Sequence, residues 1–421
     1  MILLLDLDGT LTDTAHEKFK PLKDGLEETD VNQIPIISGA KEFVRELIEQ
    51  GHNPIIISDS HPKYVNKIAE NIFNIPALSL SQKPNPSKTL IYLQDTVPEW
   101  NIDNTIVVGD TWLDIELGRV LNLKTILTSF YKATSVENRD GIGQDWKHLK
   151  SGSTYYASTF NDIIEIIKNP LQNLLAVEAI FQNFNSSKAV KFKTTKYADR
   201  FIAYRALGRQ QNGECDKYAV TDKYFEFHRP DRSRETLLKL ANASSNFISH
   251  VQESMPSIIW DYFTYVSDKT TTQPPNKLYE LFELVQTNVD KLKLINWKDE
   301  VEGSIRNQQD YQRRKEFVDN YIFLNDSIDL KDKNVIIIDD QFTTGGTAYS
   351  ICGKFIQKGA KNILFITLFY LTSNVHSEKI CPKCGTKLQV KINRTKGTKF
   401  LSCTPKQYGG IGCGDYIFNI I

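Results

Sequence analysis

The sequence predicts an α/β protein with two parallel-sheet domains and a small β-rich segment at the end. Short apolar runs alternate with helical patterns from Met1 to about Lys168, and an α/β pattern returns over residues 169–372. Strands that alternate with helices are typical of parallel sheets with crossover connections. From about Ser373 the composition changes, and cysteine, lysine and glycine dominate. We therefore predict three domains, at 1–168, 169–372 and 373–421, of which the first two are Rossmann-like.

Composition narrows the classes of function. The 421 residues include 51 lysines and arginines and 51 aspartates and glutamates, so the net charge does not indicate a nucleic-acid or membrane partner. The longest apolar runs are far shorter than the roughly 18 to 20 residues of a membrane helix. The start, MILLLDLDGT, lacks the basic region of a secretory signal. We expect a cytoplasmic protein with no membrane partner.

Five apolar runs mark the predicted strands of the first domain: ILLLDLD, NPIIISDS, NTIVVGD, KTILTS and STYYAST. Helical patterns such as KEFVRELIEQG and DIELGRVLNL lie between them. Polar side chains follow several of these strands, and parallel strands present their carboxyl ends at one edge of a sheet. The side chains expected to converge there are Asp6, Asp8, Ser58, Lys83, Asp110 and Asp114.

These motifs, in this order and spacing, resemble those of the haloacid dehalogenase superfamily of phosphatases over about 165 residues. The resemblance implies that Asp6 attacks phosphorus and forms an aspartyl-phosphate, while Asp8 acts as acid and base. It also implies Mg²⁺ held by Asp6, Asp110 and the backbone carbonyl of Asp8, with Asp114 in or near the coordination shell.

Two basic or hydroxyl side chains complete the expected site. Ser58 and Lys83 would hold the phosphoryl oxygens and offset their charge. Lys88 is the competing lysine, but KPNP at Lys83 fits the superfamily pattern better. The alternative is a degenerate domain whose acids are merely exposed.

The spacing of the motifs indicates an open site. Only 51 residues separate Asp6 from Ser58, and 24 separate Ser58 from Lys83. That leaves little room for the cap domain that small-molecule members of the superfamily insert at either place. We therefore expect a capless domain and a phosphorylated substrate that is large or protruding: a protein, a nucleic-acid end or a nucleotide.

The second domain contains NVIIIDDQFTTGGTAYS, residues 334–350, which predicts a buried strand ending at Asp339 and Asp340 and a glycine turn into a helix. Carboxylates can accept hydrogen bonds from ribose hydroxyls, whereas backbone N–H groups and threonine hydroxyls can surround a phosphate. The absence of GKS or GKT excludes a nucleoside-triphosphatase loop. The predicted phosphate-binding residues are Thr343, Thr344, Gly345, Gly346 and Thr347.

This stretch resembles the phosphoribosyl diphosphate signature of type I phosphoribosyltransferases. The resemblance implies that phosphoribosyl diphosphate, with Mg²⁺, or a nucleoside 5′-monophosphate binds here. The best candidate for the diphosphate loop is FTYVSDKTTTQ, with Ser267, Asp268 and Lys269 nearest the ligand. Binding without transfer, as in a regulator, is the alternative. Three arginines either contact the diphosphate or solvate a helix: Arg306, Arg313 and Arg314.

The last segment carries the spacing C-x2-C-x18-C-x9-C. Four thiolates so spaced favour a closed tetrahedral site with one structural Zn²⁺, held by Cys381, Cys384, Cys403 and Cys413. The segment resembles the zinc ribbons of bacterial type I topoisomerases, which implies single-stranded nucleic acid as a partner. A structural or protein-docking ribbon is the equal alternative. The side chains that would contact nucleic acid are Arg394, Phe400, Tyr408 and Tyr416.

Together these patterns predict a bifunctional enzyme: a magnesium-dependent phosphatase joined to a phosphoribosyltransferase-like domain that makes or processes a nucleotide-like metabolite. The pairing resembles modules of bacterial stress-response clusters. The alternative is a nucleic-acid-directed end-processing or defence protein whose transferase-like domain only senses a nucleotide.

Overall fold

The structure is a computed structural model of the chain. It describes residues 1–131, 145–192, 195–197, 200–211, 216–268, 277–298, 300–303, 308, 311–373, 376–392, 399–404 and 412–419. The chain forms two compact units, the first comprising Met1–Pro170, Gln211–Lys217 and Thr372–Ile421 and the second Leu171–Gln210 and Tyr218–Leu371. The three-domain division stays a prediction. In the described residues no helix is long and apolar enough to cross a membrane.

A six-stranded parallel sheet forms the core of the first unit. Its strands are β1 (Ile2–Leu5), β2 (Asn53–Ile57), β3 (Ala77–Leu78), β4 (Thr105–Gly109), β5 (Lys124–Thr128) and β6 (Tyr155–Ala157), in the order β3-β2-β1-β4-β5-β6. The helices are α1 (Lys20–Lys23), α2 (Ala40–Glu49), α3 (Pro62–Ile68), α4 (Ser87–Thr96), α5 (Trp112–Val120), α6 (Asp145–Lys150) and α7 (Phe160–Lys168). The predicted parallel α/β arrangement of this region is confirmed.

The order of the strands explains where a ligand site can form. β1 pairs with β2 on one side and with β4 on the other, so successive crossovers leave the centre of the sheet in opposite directions. Such a switch point opens a crevice at the carboxyl ends of the strands. Asp6, Ser58 and Asp110 are the first residues after β1, β2 and β4.

Between β1 and α2 the chain makes a short excursion, residues 9–39. It contains α1 and two short 3₁₀ turns, and no helix in it is longer than four residues. The backbone N–H of His61, just before α3, donates to the carbonyl of Lys23 at 2.7 Å. Lys67 on α3 also pairs with Glu28 at 2.9 Å. The excursion is therefore held against α3 but is too small to form a cap domain.

A mixed eight-stranded sheet forms the core of the second unit, in the order β12-β11-β15-β16-β9-β7, with β10 beside β16 and β8 beside β9. Its strands are β7 (Val190–Lys191), β8 (Thr195–Tyr197), β9 (Arg200–Ala206), β10 (Arg209–Gln210), β11 (Tyr262–Tyr265), β12 (Asp290–Lys291), β15 (Asn334–Phe342) and β16 (Asn362–Leu371). A separate antiparallel pair is formed by β13 (Ile295–Trp297) and β14 (Ile322–Leu324). The helices are α8 (Ala176–Phe181), α9 (Thr221–Phe227), α10 (Arg234–Ser254), α11 (Lys277–Leu284), α12 (Tyr311–Tyr321) and α13 (Gly346–Gln357).

Strand β15 is longer than the sequence predicted. It continues past Asp340 to Phe342, so the prediction that the strand ends at the two acids is wrong. The reason is the neighbouring strand β16, which reaches Leu371 and pairs Gln341 with Phe369 and Phe342 with Tyr370. Asp339 and Asp340 therefore lie within the strand, and their side chains point to opposite faces of the sheet.

The cysteine-rich end of the chain forms a four-stranded antiparallel sheet. Its strands are β17 (His376–Ile380), β18 (Lys387–Ile392), β19 (Lys399–Ser402) and β20 (Ile417–Asn419), in sequence order across the sheet. The start of this segment lies beside α5. There the buried guanidinium of Arg119 donates from Nη1 to the carbonyls of Ser151 at 2.6 Å and Ser373 at 3.0 Å.

Candidate functional site

A lysine between two carboxylates lies at the centre of the candidate site. Nζ of Lys83 is 2.5 Å from Oδ1 of Asp6 and 2.5 Å from Oδ1 of Asp114. It also donates to the carbonyl of Ile57 at 3.3 Å. Lys83 lies in the loop after β3. Asp59 holds this loop in place, because Oδ1 of Asp59 accepts a hydrogen bond from the backbone N–H of Lys83 at 2.8 Å. Lys88, the competing lysine, is half-buried and donates to the carbonyl of Leu80 at 2.8 Å.

Asp114 is oriented by the first turn of α5. Its Oδ2 accepts from the backbone N–H of Thr111 at 3.1 Å and from the Thr111 hydroxyl at 2.7 Å, which leaves Oδ1 for Lys83. Gly109 permits this approach, because a Cβ there would lie 2.3 Å from Cγ of Asp114. One carboxylate oxygen from each of Asp6, Asp110 and Asp114 lies within 4.8 Å of the others.

The charges of this cluster oppose one another inside the protein. Burial raises the pKa of Asp6, and the charge of Asp114 raises it further, whereas Lys83 lowers it. Burial lowers the pKa of Lys83, but the charges of Asp114 and Asp6 outweigh burial, so that this pKa is raised well above its usual value. Lys83 therefore stays charged. Three close carboxylates offer the hard oxygen ligands that Mg²⁺ requires, so the residues fit that ion.

Asp8 is held in a different way, by hydroxyl groups. Its Oδ1 accepts from the Thr14 hydroxyl at 2.6 Å and from the Tyr64 hydroxyl at 2.9 Å. Its Oδ2 accepts from the Ser60 hydroxyl at 3.0 Å. The sequence patterns named none of these three donors, since their role depends on how α3 and two loops meet.

A cavity of about 190 Å³ opens onto these groups. The sheet edge supplies one side of it, including Ser58, which is buried at the end of β2. The excursion supplies the opposite wall. The residues that line the cavity are Asp6, Asp8, Ala15, Glu17, Lys20, Lys23, Ser58, Asp59, Ser60, Lys83, Thr111 and Leu113. All of the predicted side chains of the first unit therefore lie at the cavity or, as with Asp110 and Asp114, beside Asp6.

Asp340 lies in an ion-pair cluster that the sequence did not reveal. Oδ2 of Asp340 is 2.9 Å from Nε2 of His228 and 3.0 Å from Nζ of Lys277. Lys277 also pairs with Asp268 at 3.0 Å. Burial raises the pKa of Asp340, but Lys277 and His228 lower it more, so it lies below its usual range. Burial, and then the charge of Asp340, raise the pKa of Asp339.

In the glycine turn after β15, neighbouring groups lie so close to the backbone that a side chain would not fit. Gly345 is left-handed, with φ of +83°, and a Cβ there would lie 2.4 Å from the ring of Tyr349. At Gly346 a Cβ would lie 2.9 Å from the carbonyl of Tyr311. Thr343 accepts a hydrogen bond from the guanidinium of Arg314. Thr344 and Thr347 are half-buried in the same turn.

The other residues predicted to contact the ligand of the second unit lie in different surroundings. The Ser267 hydroxyl donates to Ile295 O at 2.8 Å, and Asp268 belongs to the ion-pair cluster with Lys277. Arg314 reaches the glycine turn, whereas Arg313 is exposed. Four predicted residues lie outside the described part of the chain: Lys269, Arg306, Arg394 and Tyr408.

The four cysteines of the last segment come together. Sγ of Cys403 lies 3.4 Å from Sγ of Cys384 and 3.6 Å from Sγ of Cys413, and Cys381 lies 3.9 Å from Cys413. Gly412 makes this possible, because a Cβ there would lie 2.2 Å from Sγ of Cys403. Thr386, which lies 3.2 Å from Sγ of Cys384, lowers the pKa of that thiol to about 6. Four converging sulfurs fit a tetrahedral zinc ion.

Comparisons with known proteins give similar structures but no family. No protein-family model matches the chain, and no curated protein matches it. A predicted phosphatase from Clostridium acetobutylicum is 17% identical, with 40% of this chain and 97% of that chain covered and a TM-score of 0.32. A haloacid dehalogenase-like hydrolase from Streptococcus pneumoniae is 15% identical over 39% and 97% of the chains, with a TM-score of 0.30.

A third similar structure is D,D-heptose 1,7-bisphosphate phosphatase from B. bronchiseptica, solved with magnesium and phosphate. It is 11% identical over 40% of this chain and 99% of that chain, with a TM-score of 0.30. At such values a likeness does not decide a function, which must come from the site itself.

Proposed function

We propose that the first unit is a magnesium-dependent hydrolase of phosphate monoesters. The observation that carries the proposal is the meeting of Lys83 with Asp6 and Asp114, beside Asp110, at the switch point of a parallel sheet. Buried like charges are costly unless a ligand or an ion balances them. A divalent cation would balance the charge of this cluster, and the cation with Lys83 would then attract a phosphoryl group.

The residues divide into two groups by chemistry. Asp6, Asp110 and Asp114, with the backbone carbonyl of Asp8, would hold Mg²⁺, which when bound offsets the charge of the phosphoryl oxygens. Ser58 and Lys83 border the same space and can hold those oxygens by hydrogen bonds. Lys83 also favours the ionised form of Asp6 that a nucleophile requires, against burial and the charge of Asp114, which raise the pKa of Asp6.

Hydrolysis would proceed in two displacements. A carboxylate oxygen of Asp6 attacks phosphorus while the bond from phosphorus to the leaving oxygen breaks, and Asp8 gives that oxygen a proton. Asp8, now ionised, then takes a proton from water as the water oxygen attacks phosphorus. The bond from phosphorus to Asp6 breaks, which releases phosphate and restores both carboxyl groups.

The dimensions of the cavity bear on the substrate. About 190 Å³ is less than the roughly 300 Å³ at which pockets begin to enclose drug-sized ligands. The site thus accepts the phosphorylated end of a substrate whose remainder lies outside. Lys20 and Lys23 on the wall add positive charge, which suits an anionic substrate such as a nucleotide or a phosphorylated nucleic-acid end.

The experiment is phosphate release from nucleotides, phosphoproteins and 3′-phosphorylated oligonucleotides by the purified chain. Asp6→Asn keeps the shape of the side chain but removes the nucleophile, so we expect a loss of several orders of magnitude. Asp13→Asn is the matched control, because Asp13 is exposed and does not line the cavity. Activity that survives Asp6→Asn would place the chemistry elsewhere.

We propose a second ligand site in the second unit, for phosphoribosyl diphosphate or a nucleoside 5′-monophosphate. The observation that favours it is the left-handed turn at Gly345, at the N-terminus of α13, with three threonines and Arg314 beside Asp339 and Asp340. Helix N-termini with free N–H groups favour anions. A bifunctional enzyme would exchange diphosphate there, whereas a sensor would only bind. The stress-response setting stays a prediction.

The competing hypothesis is a nucleic-acid-directed protein recruited by the cysteine-rich sheet. It predicts single-strand binding that weakens as salt rises, because phosphate contacts release counterions. Binding to a fluorescent single strand over a salt series distinguishes the two. No binding at low salt would remove the nucleic-acid hypothesis.

A further inference from the structure

The hydroxyl groups around Asp8 have no part in the chemistry described so far. They come from three places: Thr14 in the excursion, Ser60 in the loop after β2, and Tyr64 on α3. We propose that Tyr64, with Thr14 and Ser60, positions the carboxyl group of Asp8 for proton transfer to and from the substrate. The proposal rests on the phosphatase function and names the residues that would set its acid–base step.

The two carboxylate oxygens of Asp8 accept different numbers of hydrogen bonds. Oδ1 has two donors, Thr14 and Tyr64, whereas Oδ2 has Ser60. A carboxylate oxygen can accept about two hydrogen bonds. Both acceptor positions of Oδ1 are therefore occupied, whereas Oδ2 has one position left for a proton or another donor. Ser60 and Asp8 both line the cavity, but Tyr64 and Thr14 do not. We assign the exchangeable proton to Oδ2, on the cavity side.

The network behind Oδ1 is closed and buried. Tyr64, Thr12 and Thr14 have no exposed surface. The Tyr64 hydroxyl also lies 2.9 Å from Oγ1 of Thr14, and Oγ1 of Thr14 lies 2.6 Å from that of Thr12. With one proton on each hydroxyl, Thr14 and Tyr64 can both donate to Asp8 while Thr12 donates to the carbonyl of Leu7 at 3.0 Å. Every donor then has an acceptor, so the carboxyl group has one preferred orientation.

Tyr64 is suited to act as a fixed donor. Its hydroxyl is buried and lies 2.9 Å from Oδ1 of Asp8. Because a hydroxyl can also accept, the same groups accommodate Asp8 in its protonated and its ionised form. If Tyr64 served packing alone, phenylalanine would fill the same space, so Tyr64→Phe isolates the role of the hydroxyl.

The test separates proton transfer from folding. Dinitrophenyl phosphate has a leaving group that departs without a proton, whereas phenyl phosphate needs one. In Tyr64→Phe we expect the first release of dinitrophenol at close to the wild-type rate, followed by turnover slowed about 10- to 100-fold, because Asp8 must still activate water. With phenyl phosphate the first release itself should slow by a similar factor.

Three further variants keep the outcome interpretable. Tyr155→Phe is the matched control, since it removes the hydroxyl of another buried tyrosine, on the edge strand β6, and should leave both substrates unchanged. Thr14→Val should reproduce the Tyr64→Phe pattern and Thr14→Ser should not, which settles the proposal if Tyr64→Phe fails to fold.

The results that overturn the proposal are distinct from those that overturn the function. If the wild-type chain hydrolyses both esters and Tyr64→Phe slows their first release equally, or not at all, Tyr64 has only a structural role. If the wild-type chain hydrolyses no phosphate ester, the phosphatase function fails, and this inference fails with it.

Discussion

Lys83 is the residue on which the first unit depends most, because it joins Asp6 and Asp114 out of contact with water. In Lys83→Met the buried carboxylates lose their partner, and we expect the free energy of unfolding to fall by about 3 to 5 kcal/mol without added metal. Mg²⁺ should restore part of the loss, because it binds the same carboxylates. Denaturant unfolding of the variant with and without Mg²⁺ measures both effects.

The control for Lys83 is Lys88→Met, at a half-buried lysine in the first turn of α4 that contacts none of the three carboxylates. It should change the free energy of unfolding by no more than about 0.5 kcal/mol. Equal losses in the two variants, or a loss in Lys83→Met that Mg²⁺ does not reduce, would contradict the role given to Lys83.

Many of the individual residues of the candidate site were predicted from the sequence. Asp6, Asp8, Ser58, Lys83 and Asp110 were identified because each follows a strand or a turn in a recognisable local pattern. The residues that hold them in place were not. Their partners lie far along the chain, as for Tyr64 and Asp8, 56 positions apart, or His228 and Asp340, 112 positions apart.

Among the elements, the start of α10 depends on one carboxylate. Glu226 on α9 accepts from the hydroxyls of Ser233 at 2.6 Å and Thr236 at 2.7 Å and pairs with Lys223 at 2.8 Å. Burial raises the pKa of Glu226, but the hydrogen bonds from Lys223, Ser233 and Thr236 outweigh it and lower the pKa to about 2.

A lowered pKa in the folded state fixes the direction of the pH effect. The stabilisation by Glu226 is complete above its ordinary pKa of 4.5 and is lost as pH falls towards about 2. We expect Glu226→Gln to lower the stability of the second unit by about 1 to 3 kcal/mol at neutral pH, and the difference from wild type to shrink in acid. Urea unfolding over a pH series measures it; a difference that grows in acid would contradict the assignment.

The turn between β15 and α13 carries the prediction for the second ligand. Gly345→Val places a branched side chain at φ of +83° against the ring of Tyr349, so the turn must move. Phosphoribosyl diphosphate or a nucleoside 5′-monophosphate should raise the unfolding temperature of the wild-type chain but not of this variant.

The matched ligand control is the unphosphorylated nucleoside. It should bind much more weakly, because it lacks charge-assisted hydrogen bonds worth about 1.5 to 3 kcal/mol each. Gly353→Ala is the matched variant, since Gly353 lies on α13 with open space around it. Equal binding of nucleoside and nucleotide would show that the turn does not hold a phosphate.

Elements with strong local patterns were predicted well, and those that depend on neighbours were not. The apolar runs of β1, β2, β4 and β16 were enough to identify strands. The end of β15 was misplaced because its last residues are held by β16, and β9 was missed because RFIAYRA mixes charged and apolar residues. The position and length of such strands depend on hydrogen bonds to neighbouring strands, which a local sequence pattern does not show.

For the whole molecule, metal content is the simplest measurement. We expect one zinc ion per chain, held by the four cysteines. Cys381→Ser should lower the zinc content and loosen the β17–β20 sheet while leaving the six-stranded and eight-stranded sheets folded. Cys352→Ala should keep the zinc, because that buried thiol lies on α13. Metal analysis with circular dichroism tests this, and a purified wild-type chain without zinc would contradict it.

The hydrogen bond from Arg119 to Ser373 makes the order of synthesis matter. Residues 1–170 leave the ribosome long before residue 373, so the guanidinium on α5 must wait for one of its acceptors until residue 373 has also been made. A fragment that stops at Pro170 would keep the sheet and Asp114 but would leave that hydrogen bond unmade next to the same helix. Recombinant versions of the first unit should therefore carry residue 373 with them, by circular permutation or by addition of the segment around Ser373 as a peptide.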